Sequence, residues 1–118
     1  MLDRLVTSAR RGAVAAILAG LACGTASGAD DDAALMALGK TLFTVGAVPP
    51  CALCHTLKDA GATGAIGPAF DDLQPGPDQV IAALKSGIGA MPSYRGNLSD
   101  EQMRALARYV SKASGSAR

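Results

Sequence analysis

The chain has 118 residues, 49% of them hydrophobic and 18% charged, with 11 Lys+Arg against 10 Asp+Glu and a formal net charge of +1. That length accommodates one domain, and the near balance of charge excludes partners held by bulk electrostatics, nucleic acids and anionic lipid surfaces among them. With three cysteines, one histidine and no tryptophan, any metal or redox chemistry rests on how those few residues are spaced.

Residues 1–29 read as an export signal. Arg4, Arg10 and Arg11 form a positive leader, and residues 12–22 an apolar run too short to cross a membrane as an ordinary helix. The small residues Ala26, Ser27, Gly28 and Ala29 suit cleavage after position 28 or 29. Leu21-Ala22-Cys23 faintly resembles a lipoprotein site, though Gly20 stands where a larger aliphatic residue belongs, and Arg10-Arg11 hints at a twin-arginine signal. Membrane attachment would follow only from a lipidated Cys23 or a retained signal. The general secretory reading delivers residues 30–118 to the periplasm. Removing Arg4, Arg10, Arg11 and Asp3 from the totals leaves 8 basic and 9 acidic residues, a protein charge of −1. Two Phe and two Tyr make a thin core for a domain of this size, one that an embedded apolar cofactor would complete.

After a solvated acidic lead at 29–32, the spacing of Leu35, Leu38, Leu42 and Val45 predicts a helix over 32–45. Gly39 inside it costs about 1 kcal/mol against Ala, unless its bare backbone lets another helix cross closely. Gly46 stops the helix, and Pro49-Pro50 force an extended approach to Cys51-Ala52-Leu53-Cys54-His55. Cys-x-x-Cys-His is the attachment signature of c-type haem. Thiols three residues apart on one turn reach the two vinyl groups at one edge of the macrocycle, and His55 offers an axial nitrogen. A thioredoxin-like dithiol wants a strand and a βαβ frame, and Val48-Pro49-Pro50 is a poor strand. A zinc site needs four ligands, whereas only His55 and the distant Cys23 are to hand; no zinc is expected. One covalently attached haem c, with its iron, would consume both cysteines of the mature chain.

Residues 56–67 read as an ordered loop around the haem edge, followed by a Gly67-Pro68 turn and by Ala69, Phe70 and Leu73 packing inward. A helix over 77–86 opens on Pro77, buries Val80, Ile81 and Leu84, and stops at Gly87. The loop over 87–97 carries Met91-Pro92. The last helix, 100–113, is capped by Ser99 with Gln102, stapled by Leu98 and Met103, and presents Met103, Leu106, Tyr109 and Val110 as its apolar face. No strand is predicted, so the fold class is all-α. A sixth iron ligand must come from methionine, there being no second His. Met36 and Met103 read as core, which leaves Met91, 36 positions after His55. Thioether ligation raises the reduction potential.

Over residues 33–113 the chain resembles a class I cytochrome c. Gly39 and Phe43 match the glycine and aromatic of that family's N-terminal helix, and Leu106 and Tyr109 the pair that crosses them. Gly67-Pro68 matches the turn whose proline carbonyl accepts the proximal His Nδ1–H, which assigns that role to Pro68, and Met91-Pro92 matches the distal ligand. The resemblance implies a small cytochrome c fold of about three to four helices wrapped around one haem. It implies a one-electron carrier, not itself an enzyme, whose partners are redox proteins. Many members set a Trp on a haem propionate; here Tyr94 or Arg95 would have to serve. The rim, 48–53 and 88–94, is nearly uncharged where mitochondrial members carry lysines, so docking through an apolar patch is expected. Cys-Ala-Leu-Cys-His-Thr-Leu, Ile66-Gly67-Pro68 and the run from Ile88 to Tyr94 are similar to the small cytochrome subunits of periplasmic sulfite dehydrogenases. That likeness implies a heterodimer with a molybdopterin subunit that oxidises sulfite. The alternatives are a free-standing cytochrome c of another respiratory chain, a haem sensor or peroxidase with an open sixth site, and a thiol–disulfide oxidoreductase.

Overall fold

The last helix organises the others. In the computed structural model, which describes residues 27–116, α4 (Asp100–Ser114) opens on a closed capping box. Ser99 Oγ accepts from the Gln102 N–H at 3.1 Å, and Gln102 Oε1 accepts from the Ser99 N–H at 2.9 Å. Two donors that a helix start leaves orphaned are thereby satisfied. Leu98 and Met103, the expected staple pair, are both buried. The buried face of α4 is wider than the expected stripe, because Ala105, Ala107, Ser111 and Ser114 join it. The cause is that α1 (Ser27–Thr41), α2 (Phe70–Leu73) and α3 (Pro77–Ser86) all pack on this one helix. Small residues on its flanks let them approach.

The tightest approach is made by α1. A Cβ built on Gly39 would lie 2.5 Å from Tyr109 Cβ and closer still to the Ala105 carbonyl oxygen, so the two backbones touch where the bare glycine was expected to admit a crossing. Beside it, the fully buried Phe43 meets Phe70 and Tyr109 edge-on, with ring centroids 6.0 and 5.9 Å apart, a favourable aromatic geometry. α1 already includes the residues from Ser27 to Asp32, so the expected acidic lead at 29–32 is helical. Most of the expected export segment, Cys23 included, lies outside the described residues.

The periodicity of the first helix fails at its end. At Leu42 the α-helix gives way to a π-turn, Leu42–Gly46, closed by the Ala47 N–H on the Leu42 carbonyl at 2.9 Å. One extra residue in a turn shifts everything beyond it by about 100° around the axis. Leu42 and Phe43 are therefore buried while Val45 is 74% exposed, correcting the stripe that placed Val45 inside. Thr44 Oγ1 donates to the carbonyls of Lys40 (2.9 Å) and Thr41 (3.2 Å) that the wide turn leaves available.

Residues 56–67 are more ordered than a loop. β1 (Thr56–Leu57) and β2 (Ala62–Thr63) form a two-stranded antiparallel ladder, turned through a short 3₁₀ segment, Lys58–Ala60, that ends on Gly61 at φ 62°. Asp59 in that turn is tied back to both long helices: Tyr109 Oη donates to Oδ2 at 2.6 Å, and Lys40 Nζ lies 3.2 Å from the same oxygen. α3 has its expected bounds, with Pro77 at its start and Gly87 at φ 69° at its end. Leu73, expected to pack inward, is 46% exposed; its side chain borders the cleft described below.

The α1–α4 contact also carries a charge cluster. Asp32 accepts from Arg108 Nε at 2.8 Å and Lys112 Nζ at 2.6 Å. Hydrogen bonding from Arg108 first, and then Lys112, holds its carboxyl well below the ordinary value of 3.8, at about 2. A carboxylate depressed in the folded state stabilises it above its unfolded value and loses that contribution as pH falls through the folded one. Wild type should therefore melt above Asp32→Asn at neutral pH, and the gap should narrow as pH falls from about 4 through 2. A gap as wide at pH 2 as at neutral pH would refute the assignment.

Candidate functional site

The Cys-x-x-Cys-His turn forms because a short 3₁₀ helix, Cys51–Leu53, folds the chain back on itself. The Cys54 and His55 N–H groups both donate to the Cys51 carbonyl, at 3.1 and 3.0 Å. Neither Cys51 nor Cys54 is in a disulfide. His55 is buried and held from three sides. Its Nδ1 lies 2.8 Å from the Pro68 carbonyl oxygen, and a carbonyl only accepts, so Nδ1 carries the proton and Nε2 the free lone pair. Phe70 stacks on its face, with centroids 4.3 Å apart and planes 14° from parallel. Gly67 lies against it so closely that an added Cβ would sit 2.5 Å from Cε1. The Pro68 carbonyl thus lies within hydrogen-bond distance of the one histidine of the motif. Phe70, expected only to pack inward, also stacks on His55, a contact that nothing in its neighbouring residues signals.

Across the cleft, Met91 sits in a closed turn rather than an irregular loop. The Ile88 N–H donates to the Met91 carbonyl at 3.0 Å and the Met91 N–H to the Ile88 carbonyl at 2.9 Å, with Gly89 supplying the positive φ of 55°. The other two methionines lie as expected: Met103 is buried, and Met36 is packed against the core. Neither propionate candidate is uncommitted. Tyr94 is buried and donates its hydroxyl to Pro49, and Arg95 Nε donates to the Lys85 carbonyl at 3.1 Å.

Cys51, Cys54, His55, Pro68 and Met91 all line one cleft of about 300 Å³. Its walls are otherwise almost wholly apolar, with Ile88 from the Met91 turn, Leu73 from α2, and Val80 and Ala83 from α3. Burial pushes the Cys51 thiol up to about 11, the direction opposite to that of an activated nucleophile. Among the described residues no three His, Cys, Asp or Glu side chains gather to hold a metal ion. A flat, apolar, covalently tethered macrocycle suits these walls, and Cys51 and Cys54 stand at their edge.

A helical frame that opens such a cleft defines a cytochrome c. Residues 34–110 match the family described as cytochrome c oxidase, cbb3-type, subunit III, and the chain belongs to it: it is a class I monohaem cytochrome, with haem c and its iron bound covalently. Among solved structures it is similar to the c-type cytochrome SorU from Sinorhizobium meliloti, at 44% identity and a TM-score of 0.68 over 70% of this chain and 94% of that one. Among curated proteins it is 35% identical to cytochrome c6 from Synechocystis over 66% of this chain and 65% of the relative. It is 27% identical to cytochrome c-551 from Halorhodospira halochloris over 61% of this chain and 92% of that protein. Like these cytochromes, the chain is an electron carrier rather than an enzyme. Among the described residues no helix is long and apolar enough to cross a membrane.

Proposed function

We propose that the protein is a periplasmic one-electron carrier in which Cys51 and Cys54 hold the haem by thioether bonds, His55 and Met91 are its axial ligands, and Pro68 orients His55. The observation that supports this is the convergence of those five residues, from three separate segments, on one apolar cleft. Haem c would supply Fe(III)/Fe(II) cycling, one electron in and one out, with no group transferred. The chain's own part is to fix the ring of His55 through Pro68, which also raises its basicity, and to place a soft thioether opposite, which favours Fe(II). The apolar walls keep water from the iron.

The donor we assign is the molybdenum subunit of a periplasmic sulfite dehydrogenase. The supporting signal is the sequence around the two ligand turns, from Cys51 to Leu57 and from Ile88 to Tyr94. The rim favours contact through apolar surface: Ile66 and Ile88, at the cleft mouth, are 73% and 68% exposed, and a surface of this kind is little affected by salt. Rapid mixing of the ferric protein with such a subunit and sulfite tests the assignment. Haem reduction is expected, with a rate changing less than about tenfold between low and physiological salt, and Ile88→Glu should slow it by about tenfold. No reduction would sink the donor assignment, leaving a free-standing carrier; a steep salt dependence would sink apolar docking.

A further inference from the structure

The turn that bears Met91 is anchored at two ends. On one side it hangs from the end of α3, where the Tyr94 N–H donates to the Leu84 carbonyl at 2.7 Å and Ser93 Oγ to the Lys85 carbonyl at 2.7 Å. On the other side it reaches across the cleft to the three residues before Cys51. Tyr94 Oη donates to the Pro49 carbonyl at 2.7 Å, and Asn97 Nδ2 to the Val48 carbonyl at 3.3 Å.

That second anchor follows from the composition of the segment it grips. Pro49 and Pro50 have no N–H, so Val48-Pro49-Pro50 offers acceptors and almost no donors, and cannot pair with another stretch of backbone in both directions. Its carbonyls must be met by donors brought from elsewhere: Leu53 N–H takes Pro50, and the distal segment supplies the other two. Tyr94 is 3% exposed, so its hydroxyl has no recourse to bulk water, and leaving it unpaired would be costly. Burial pushes the phenol up to about 12, so it stays a donor at every pH at which the protein works.

We propose that Tyr94 is the positioning residue of the distal ligand: its hydroxyl clamps the Met91 turn to the backbone entering the haem-attachment turn, and so sets how readily Met91 leaves the iron. This rests on the ligation proposed above. With the clamp closed, the two sides of the cleft are held at fixed separation by residues that are not ligands. With it open, the turn swings from α3 alone and the state without Met91 on the iron gains population. Any added ligand that needs that state binds more tightly in proportion.

The test uses ferric holoprotein and imidazole as the competing ligand. Tyr94→Phe, which keeps the ring and deletes only the donor, should bind imidazole about fivefold more tightly than wild type, the worth of one neutral hydrogen bond. Tyr109→Phe deletes a similar buried hydroxyl, the one on Asp59 away from the cleft, and should lose stability while binding imidazole as wild type does. Asn97→Ala should shift affinity in the same direction as Tyr94→Phe by less, and carries the test alone should Tyr94→Phe not mature. Unchanged affinity in Tyr94→Phe and Asn97→Ala would overturn the clamp, and so would an equal gain in Tyr109→Phe, which would mean general loosening. If wild type lacks the far-red charge-transfer band of a thioether-ligated ferric haem and Met91→Ala leaves its spectrum unaltered, the ligation fails and the clamp with it. A wild-type band with unchanged imidazole affinity in the variants refutes the clamp alone.

Discussion

Gly39→Ala is expected to lower the midpoint of thermal unfolding by about 10 °C. Two effects of opposite sign compete at this position. In an exposed helix interior the same change would gain about 1 kcal/mol through helix propensity. Here the new methyl would occupy space held by the Ala105 carbonyl and Tyr109 Cβ. Both obstructing groups are backbone or attached directly to it, so no rotamer change relieves the clash; α1 must lift off α4. Overpacking of that kind costs about 1–3 kcal/mol or more, and the upper end applies because Phe43 and the Asp32 pairs are displaced with the helix. The net loss of about 2 kcal/mol corresponds to the shift stated for a domain of this size. Melting curves of the two holoproteins under one condition decide it by sign: a variant that melts at or above wild type would show that the helices do not touch here.

Met91→Ala is expected to leave the haem attached, because attachment belongs to Cys51 and Cys54, while changing everything that depends on the distal face. Losing the thioether removes the ligand that favours Fe(II), so the reduction potential should fall by on the order of 0.1 V, a modest part of the ~0.8 V over which axial ligands tune haem proteins. The reduced variant should bind carbon monoxide rapidly where wild type does not. The alternatives make different forecasts. Were Met36 or Met103 the ligand, potential and spectrum would survive Met91→Ala; were the sixth site open, wild type itself would take up carbon monoxide. An unchanged potential in the variant would remove Met91 from the iron.

What could be read from the chain was the chemistry that depends on near neighbours. Cys51, Cys54 and His55 declare themselves because the attachment chemistry fixes their spacing, and α3 and α4 keep their bounds because Pro77, Gly87, Ser99 and Gln102 act within one turn. Met91, singled out by elimination, lines the same cleft as Cys51, Cys54 and His55. The π-turn at Leu42–Gly46 was not legible, since a period of 3.6 presupposes a constant rotation per residue, and Val45 was misplaced as a result. Strands of two residues, Thr56–Leu57 and Ala62–Thr63, are too short to show alternation. The contacts of Asp59 lie 19 and 50 positions away at Lys40 and Tyr109, and those of Tyr94 lie 45 away at Pro49. A hydroxyl's choice among distant carbonyls is settled by the packed structure, not by the residues beside it, so the Tyr94–Pro49 bond has no local signal.

The pairing of the first helix with the last also governs timing. Asp32 finds Arg108 and Lys112 only after 76 and 80 further positions have appeared, and a polypeptide emerges N-terminus first. During that interval α1 has nothing to lie on, and Cys51 and Cys54 stand on an unlatched chain within reach of whatever machinery joins them to the macrocycle. The contact that closes the described fold is therefore the last of its parts to become possible as the chain is made.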